Sequence, residues 1–310
     1  MPMAWLLGVG AGLASGLLHL GGGLGTGGSL LLSQIAALPI FLVALGLGFG
    51  PAVLAAAGGA LLVVLFGGGL APLSYILLNG VLAVGLGRLA LLSRAGESGR
   101  EWYPAGHLLT WLFALVAGIY GLALLAAALS GQGLLSRLTA MLEQAIAAFG
   151  ASLPAQQADL LRAAVALVPG IMGAFVMLQT MLNGLLAQFL LLRGGRAVRP
   201  AESFAGLALP RELAYVLAAS LAAALLPTGL ASVGLTLAIL AAVPYFLLGL
   251  AVVHAWLARH AARGLLLTLV YGALVVVLAL FLPAAALLVA LGLAEQFVGL
   301  RARWARGKEE

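Results

Sequence analysis

Uncharged amide side chains within apolar runs are the groups in this sequence best placed to bind a small molecule or to hydrogen-bond to another helix. Gln179, Asn183 and Gln188 lie in one long run, Asn79 lies in an earlier one, and Gln34 is a weaker candidate. Gln179 and Asn183 are four positions apart, so they share a face of a helix. Inside a membrane, such amides hydrogen-bond to a neighbouring helix or line a polar cavity. The sequence therefore predicts either a small-molecule site or a helix–helix contact.

Four ionisable side chains also lie in or beside apolar runs. An ionisable group within a membrane is a functional candidate by default. His19, His107 and Glu295 lie close to predicted helix ends, and His254 lies near a predicted cytoplasmic surface. We expect water to reach all four groups there, so solvation explains them without a functional role.

Motifs of common enzyme classes are absent from the full sequence, and it contains no cysteine. The glycine-rich phosphate loop with its lysine, the His-Glu-x-x-His zinc motif and the Gly-x-Ser-x-Gly nucleophile motif do not occur. No pair of carboxylates within an apolar run offers acid–base chemistry. We therefore expect no enzyme activity, metal or cofactor, and keep an enzyme acting on lipid only as a third hypothesis.

Small residues repeat every four positions in the first apolar run, as Gly8, Gly12 and Gly16. Glycines at this spacing line one helix face and let another backbone approach closely. The pattern predicts either packing within the protein or docking of a membrane protein partner.

The composition establishes what kind of element positions these residues. Of 310 residues, 64% are apolar and 8% are charged, and the mean hydropathy is +1.19. A water-soluble domain carries roughly a quarter charged residues. No charged residue precedes Arg88, and none lies between Glu212 and Arg259. Because the apolar runs lack period-two alternation, they predict an all-α integral membrane protein in contact with the lipid bilayer.

Glycines, prolines and charges divide the chain into about ten predicted transmembrane helices, with a range of eight to ten. We interpret residues 1–310 as a single transmembrane domain, with a polar loop at 93–106. The predicted spans are residues 4–20, 29–48 (with Pro39 inside), 51–66, 70–92, 107–129, 162–192, 212–226, 229–258, 264–282 and 284–300.

The longest segment between predicted spans, residues 131–160, is amphipathic. Its apolar residues recur at helical spacing, which predicts a helix lying in the membrane interface. A short helix that caps the bundle and a functional lid both fit this pattern. The apolar positions are Leu134, Leu138, Met141, Leu142, Ala145 and Phe149.

The positions of the basic residues predict the orientation of the chain. With ten spans and a cytoplasmic N-terminus, every Lys and Arg except Arg137 and Arg162 falls on the cytoplasmic side. Both termini are then cytoplasmic, in a bacterial inner membrane. The formal charge of +6 is spread over loop ends, so it indicates contact with lipid headgroups and not with nucleic acid.

Three segments resemble the YybS-like predicted membrane proteins, the domain-of-unknown-function family 2232. They are residues 38–48, LPIFLVALGLG; residues 246–255, FLLGLAVVHA; and residues 291–301, LGLAEQFVGLR. The resemblance covers nearly the whole chain. It implies a fold distantly similar to the S components of energy-coupling-factor transporters and to MreD-like scaffolds. Typical S components have about six helices, so the extra spans depart from that pattern.

Two functional hypotheses follow from the residues and the resemblance. The first is a small-molecule binding or transport component whose pocket uses Asn79, Gln179, Asn183 and Gln188. The second is a membrane scaffold without a pocket, which binds a partner through the first helix. S components dock their partner through small residues of that helix, and Gly8, Gly12 and Gly16 occupy a comparable place here.

Overall fold

A computed structural model describes residues 2–96, 99–148, 155–227 and 229–306 of the chain. Apolar helices occupy each of the ten predicted spans. The chain forms two compact units, one from Met1–Leu112 with Val176–Ser203, the other from Phe113–Phe175 with Phe204–Glu310. The all-α membrane architecture predicted from composition is thus confirmed.

The first unit contains the N-terminal helices, a short hairpin and the second half of a long helix. Its second predicted span is broken into α2 and α3, and a π-helical turn, Ile76–Val81, joins α5 to α6. The elements are α1 (Pro2–Gly21), α2 (Gly27–Ser33), α3 (Leu38–Leu47), α4 (Phe49–Phe66), α5 (Ala71–Tyr75), α6 (Leu82–Ala90), β1 (Ser93–Gly96), β2 (Gly99–Trp102), the start of α7 (Ala105–Leu129) and the end of α10 (Val168–Arg193).

The second unit contains the rest of α7, the first part of α10 and the C-terminal helices. Its longest helix carries Pro244 in its interior. The further elements are α8 (Leu134–Ala148), α9 (Ala155–Ala164), α11 (Glu212–Ala224), α12 (Leu230–Leu257), α13 (Arg263–Leu280), α14 (Ala285–Val298) and α15 (Leu300–Arg306).

Eight helices within the described residues are long and apolar enough to cross a membrane. This number is the lower end of the predicted range. The remaining two apolar helices, Glu212–Ala224 and Leu282–Val298, are shorter. At 1.5 Å per residue the first of them extends only about 20 Å, against about 30 Å of hydrocarbon.

Glycines of α1 bring its backbone against that of α4. A Cβ added at Gly8 would lie 2.8 Å from the Pro51 carbonyl oxygen, and one at Gly16 would lie 3.0 Å from the Gly59 oxygen. A Cβ at Gly12 would collide with the Ala55 carbonyl group. Since these contacts advance together along both helices, α1 and α4 run parallel. The three glycines predicted for packing or docking are therefore covered by a helix of the same unit.

A second pair of helices in close backbone contact, α12 and α14, forms within the second unit. A Cβ at Gly249 would meet the backbone of Leu288, and one at Gly292 would meet the backbone of Tyr245. Further along the chain, Arg259 donates to the carbonyl oxygen of Trp304 at 3.2 Å. The backbones of the two helices therefore meet at these glycines.

The predicted polar loop 93–106 contains a structured element that the sequence analysis missed. Strands β1 and β2 pair antiparallel, with Ser93 opposite Trp102. Arg94 and Glu101 face each other across the pair in an exposed 2.7 Å ion pair. The segment lacks the alternating β-branched and aromatic residues that indicate strands, so this cross-strand contact was its only local signal.

The amphipathic segment 131–160 forms helical structure in its described parts. Helix α8 covers Leu134–Ala148, and α9 begins at Ala155 and leads into the sixth predicted span. Leu134, Leu138 and Leu142 of the predicted apolar face are half-buried, whereas Met141 is exposed. Phe149 lies outside the described residues.

We predict that Gly12→Leu will destabilise the protein, because its side chain would enter the contact with the Ala55 backbone. Overpacking of this kind costs about 1–3 kcal/mol, which thermal unfolding in detergent will measure. Gly10→Leu is the matched control, since an added Cβ at Gly10 meets nothing within 4 Å. Equal unfolding temperatures for the two variants would show that the α1–α4 contact does not stabilise the protein.

Candidate functional site

The break between α2 and α3 is where the backbone of the first unit departs from regular hydrogen bonding. Pro39 lies at the start of α3, and proline has no N–H to donate to a preceding carbonyl. Across the break, the backbone N–H of Leu38 donates to the Ile35 carbonyl oxygen at 3.0 Å. In an α-helix this N–H would bond Gln34. The Gln34 carbonyl oxygen is thus free to accept other donors.

Two amides from α10 supply those donors. The Nε2 of Gln179 donates to the Gln34 carbonyl oxygen at 3.0 Å, and the Nδ2 of Asn183 donates to the same oxygen at 2.9 Å. Asn183 also donates to the Gln179 carbonyl oxygen at 2.8 Å. The expectation that Gln179 and Asn183 share a helix face agrees with their common acceptor. We call Gln34, Gln179 and Asn183 the amide cluster.

A second carbonyl group at the break, that of Ala36, accepts its hydrogen bond from a hydroxyl group. The Ser15 hydroxyl donates to the Ala36 oxygen at 2.6 Å, and the Tyr75 hydroxyl donates to Ser15 Oγ at 2.8 Å. Both side chains are fully buried. The sequence analysis did not identify this pair, because neither residue indicates by itself that a carbonyl group elsewhere needs a donor.

Asn79 lies close to the Ser15–Tyr75 pair through His19. Its Nδ2 is 3.3 Å from His19 Nδ1, and the other ring nitrogen is 3.4 Å from the Ser74 hydroxyl. The His19 ring also packs edge-on against Tyr75, at 5.3 Å between centroids. His19 is therefore part of a polar network and not only a solvated helix end. Asn79 belongs to the π-helical turn, a distortion frequently found at functional sites.

The amide cluster retains acceptor capacity that the chain does not use. Within the described residues, Asn183 Oδ1 and Gln34 Oε1 are buried and have no hydrogen-bond partner. Asn183 as a whole is only 3% exposed. An amide oxygen accepts up to two hydrogen bonds and carries no charge. The cluster can therefore receive N–H or O–H groups from a bound molecule or from water.

Gln188, the fourth predicted site residue, does not join the cluster. Its Nε2 donates to the carbonyl oxygen of Arg199 at 2.6 Å. The buried Arg199 guanidinium in turn donates to the Ala90 carbonyl oxygen at 2.9 Å and pairs with Glu202. These contacts fasten the basic loop after α10, so Gln188 has a structural partner where we expected a ligand contact.

A similar arginine contact in the second unit involves Glu295. This carboxylate is 8% exposed and pairs with Arg301 at 2.8 Å. Arg301 also donates to the carbonyl oxygens of Ala205 and Leu207. The expectation that water solvates Glu295 is therefore wrong, because the buried ion pair replaces it.

We predict that Ser15→Ala will lower the unfolding temperature more than Tyr75→Phe. The serine variant leaves both the Ala36 oxygen and the Tyr75 hydroxyl without a partner, whereas the phenylalanine variant loses one bond. A single interhelical bond in a membrane averages about 0.6 kcal/mol, and each orphaned buried group costs about 1–3 kcal/mol. Thermal unfolding of both variants and of the double variant will measure this difference. Equal losses in the two single variants would contradict the hydroxyl chain.

Comparison with known proteins gives a family assignment. The family model described as "Predicted membrane protein (DUF2232)" matches residues 28–294. No curated protein and no solved structure matches the chain. The family match covers most of the sequence, including α2, α3 and the amide cluster, and it confirms the YybS-like resemblance. The chain therefore belongs to the DUF2232 family of predicted membrane proteins.

Proposed function

We propose that this multi-pass membrane protein binds a small molecule at the break between α2 and α3, as a binding or transport component. One observation carries the proposal: in the part of the chain that the structure describes, Asn183 Oδ1 and Gln34 Oε1 are buried beside a broken helix without hydrogen-bond partners. A buried acceptor without a partner costs about 1–3 kcal/mol. A ligand that donates hydrogen bonds removes that cost on binding.

The helix break itself supports a binding role. Irregular backbone at membrane depth is tolerated where protein buries it or where it lines a cavity. In many transporters, broken helices form the substrate and coupling-ion sites, and their unwound carbonyl groups coordinate the ion. Gln179 and Asn183 already donate to the Gln34 carbonyl oxygen. The side-chain oxygens Asn183 Oδ1 and Gln34 Oε1 therefore favour a ligand rich in N–H or O–H groups.

An uncharged ligand suits this chemistry best. The hydrogen bonds of the amide cluster join amides to backbone carbonyl groups and include no charged partner. A buried anion beside these acceptor oxygens would remain unpaired, at a large desolvation cost. We also propose a binding role and not a catalytic one, since amides do not exchange protons near neutral pH.

The scaffold hypothesis needs a different surface from the one the sequence indicated. The scaffold hypothesis assigned docking to the face of Gly8, Gly12 and Gly16. Helix α4 covers that face. A partner protein would have to bind elsewhere on the first helix, for instance along the exposed side chains of Leu6, Leu13 and Leu17. We therefore keep the scaffold role as the alternative and propose the small-molecule role on the ground of the amide cluster.

We further propose the bacterial inner membrane as the location, with both termini in the cytoplasm. The distribution of Lys and Arg supports this orientation. It requires that α11 and α14, the two short helices, also cross.

We predict that Asn183→Leu will abolish ligand binding while the protein still folds. The variant removes an unpartnered oxygen and two donor bonds, each worth only about 0.6 kcal/mol on average. Native mass spectrometry of protein extracted in mild detergent will show bound small molecules. Any candidate found will then be added at about 100 times its Kd, where it should stabilise the wild type by about 2.7 kcal/mol and leave the variant unchanged.

Gln188→Leu is the matched control for this experiment. It removes an amide of the same helix that also donates one bond to a backbone carbonyl, but it lies outside the amide cluster. We expect it to retain the ligand. Equal retention by Asn183→Leu and wild type would refute the site, and equal loss in both leucine variants would indicate a general effect of weakened packing.

The orientation gives a further prediction. Single cysteines at Gly194 and Gly307 should react only with membrane-permeant thiol reagents in intact cells, whereas a cysteine at Gln156 should react with impermeant reagents. The native chain has no cysteine to interfere. Gly194 and Gln156 are exposed, and Gly307 lies outside the described residues. Labelling of Gly307 from outside would require an odd number of crossings and exclude the ten-span arrangement.

A further inference from the structure

The second unit contains a cavity that is separate from the amide cluster. It has a volume of about 210 Å³ and lies among α7, the start of α8, the start of α10 and the first turns of α12. Tyr120 and Leu124 of α7, Leu134 of α8 and Pro169 of α10 form part of its wall. The volume equals roughly seven water molecules at about 30 Å³ each. The cavity is thus large enough for a short hydrocarbon chain.

One side chain in the cavity wall has an unmet hydrogen-bonding capacity. Thr236 of α12 is 1% exposed, and in the described part of the chain its Oγ1 has no hydrogen-bond partner. Ser232, one turn earlier on the same wall, donates to the Gly229 carbonyl oxygen at 3.2 Å. The two hydroxyl groups therefore differ, because that of Ser232 is used by its own helix and that of Thr236 is not.

The rest of the wall defines what kind of molecule fits. Of the described residues that line the cavity, none carries a charge, and most have apolar side chains or are glycine. A hydroxyl group can donate and accept one hydrogen bond in such surroundings. A molecule that is largely hydrocarbon and has one polar oxygen matches both features. An ion or a polyol would leave charge or hydroxyl groups unsatisfied against apolar walls.

One edge of the cavity is formed by the amphipathic segment. Helix α8 forms one edge of the cavity with Leu134 and Leu135 and belongs to the amphipathic segment predicted to lie in the membrane interface. Its apolar residues Leu134, Leu138 and Leu142 are only half-buried. A helix lying in the membrane interface would place this edge of the cavity beside the bilayer.

We propose that this cavity binds an uncharged amphiphile from the bilayer, a hydrocarbon chain with one hydroxyl or carbonyl oxygen that hydrogen-bonds to Thr236. The hydrocarbon part of the ligand lies against Tyr120, Leu124 and Leu134. The site is independent of the amide cluster, since the two share no residue and lie in different units.

A photoreactive diazirine analogue of 1-octanol, used with the full-length protein in lipid nanodiscs, tests the proposal. Mass spectrometry should locate the cross-links in peptides that contain Leu124, Leu134 or Val233, and excess 1-octanol should suppress them. Thr236→Val removes only the hydroxyl group and keeps the shape, so we expect at least a fivefold loss of labelling at these positions. The apo variant should remain at least as stable as the wild type, because the lost hydroxyl had no partner.

Two controls make the result specific. Thr268→Val changes the same chemistry on α13, where the hydroxyl bonds to the Gly264 carbonyl oxygen outside the cavity, and labelling should not change. Val233→Trp fills the cavity and should abolish labelling. Unchanged labelling in Thr236→Val would refute recognition of the oxygen. Labelling that persists in Val233→Trp, or that excess 1-octanol does not suppress, would refute the cavity as the site.

Discussion

The constraint on which the first unit depends is that a membrane offers no water to unpaired backbone groups. The second predicted span is broken at Pro39, which has no N–H for the Ile35 carbonyl group. Leu38 donates to Ile35 instead, so the Gln34 carbonyl group loses its helical donor. Gln179 and Asn183 bond to the Gln34 carbonyl group and Ser15 to that of Ala36. The break therefore explains Ser15 of α1 and Gln179 and Asn183 of α10.

Close packing at glycine is the second physical principle of both units. Lipid tails are as apolar as leucine, so helices in a membrane associate through close contact and not through hydrophobic burial. The α1–α4 pair and the α12–α14 pair both meet this way, with backbone carbonyl groups where a side chain would otherwise stand. Gly59 adds a link to the polar network, since a Cβ there would collide with the Tyr75 hydroxyl. Packing and hydrogen bonding are thus coupled at one contact.

The sequence predicted the helices better than it predicted the hydrogen-bond and ion-pair partners of the polar side chains. Charge-free runs predicted every apolar helix, and the four-residue spacing of Gln179 and Asn183 predicted their common face. Gln188 follows five positions after Asn183, which turns it by roughly 140° around the helix, so its separate partner was also readable from spacing. The Gln34 carbonyl oxygen could not be identified as their acceptor from the sequence. The carbonyl group that a helix break leaves without its helical donor depends on local turn geometry. The burial of Glu295 depends in the same way on Arg301 and the loop at Ala205, a contact that no periodicity reveals.

The two sets of hydrogen bonds at the break differ in which acceptor atoms they leave unpaired. A hydroxyl group that donates to a carbonyl can accept from the next hydroxyl, so Tyr75, Ser15 and Ala36 form a chain with few unmet acceptors. An amide that donates through its nitrogen still has a separate oxygen, which its own N–H groups cannot reach. Among the described residues, the hydrogen bond from Asn183 therefore leaves its Oδ1 buried without a partner. At this break, bonding through Asn183 leaves a buried acceptor, whereas Ser15 uses its hydroxyl group both to donate and to accept.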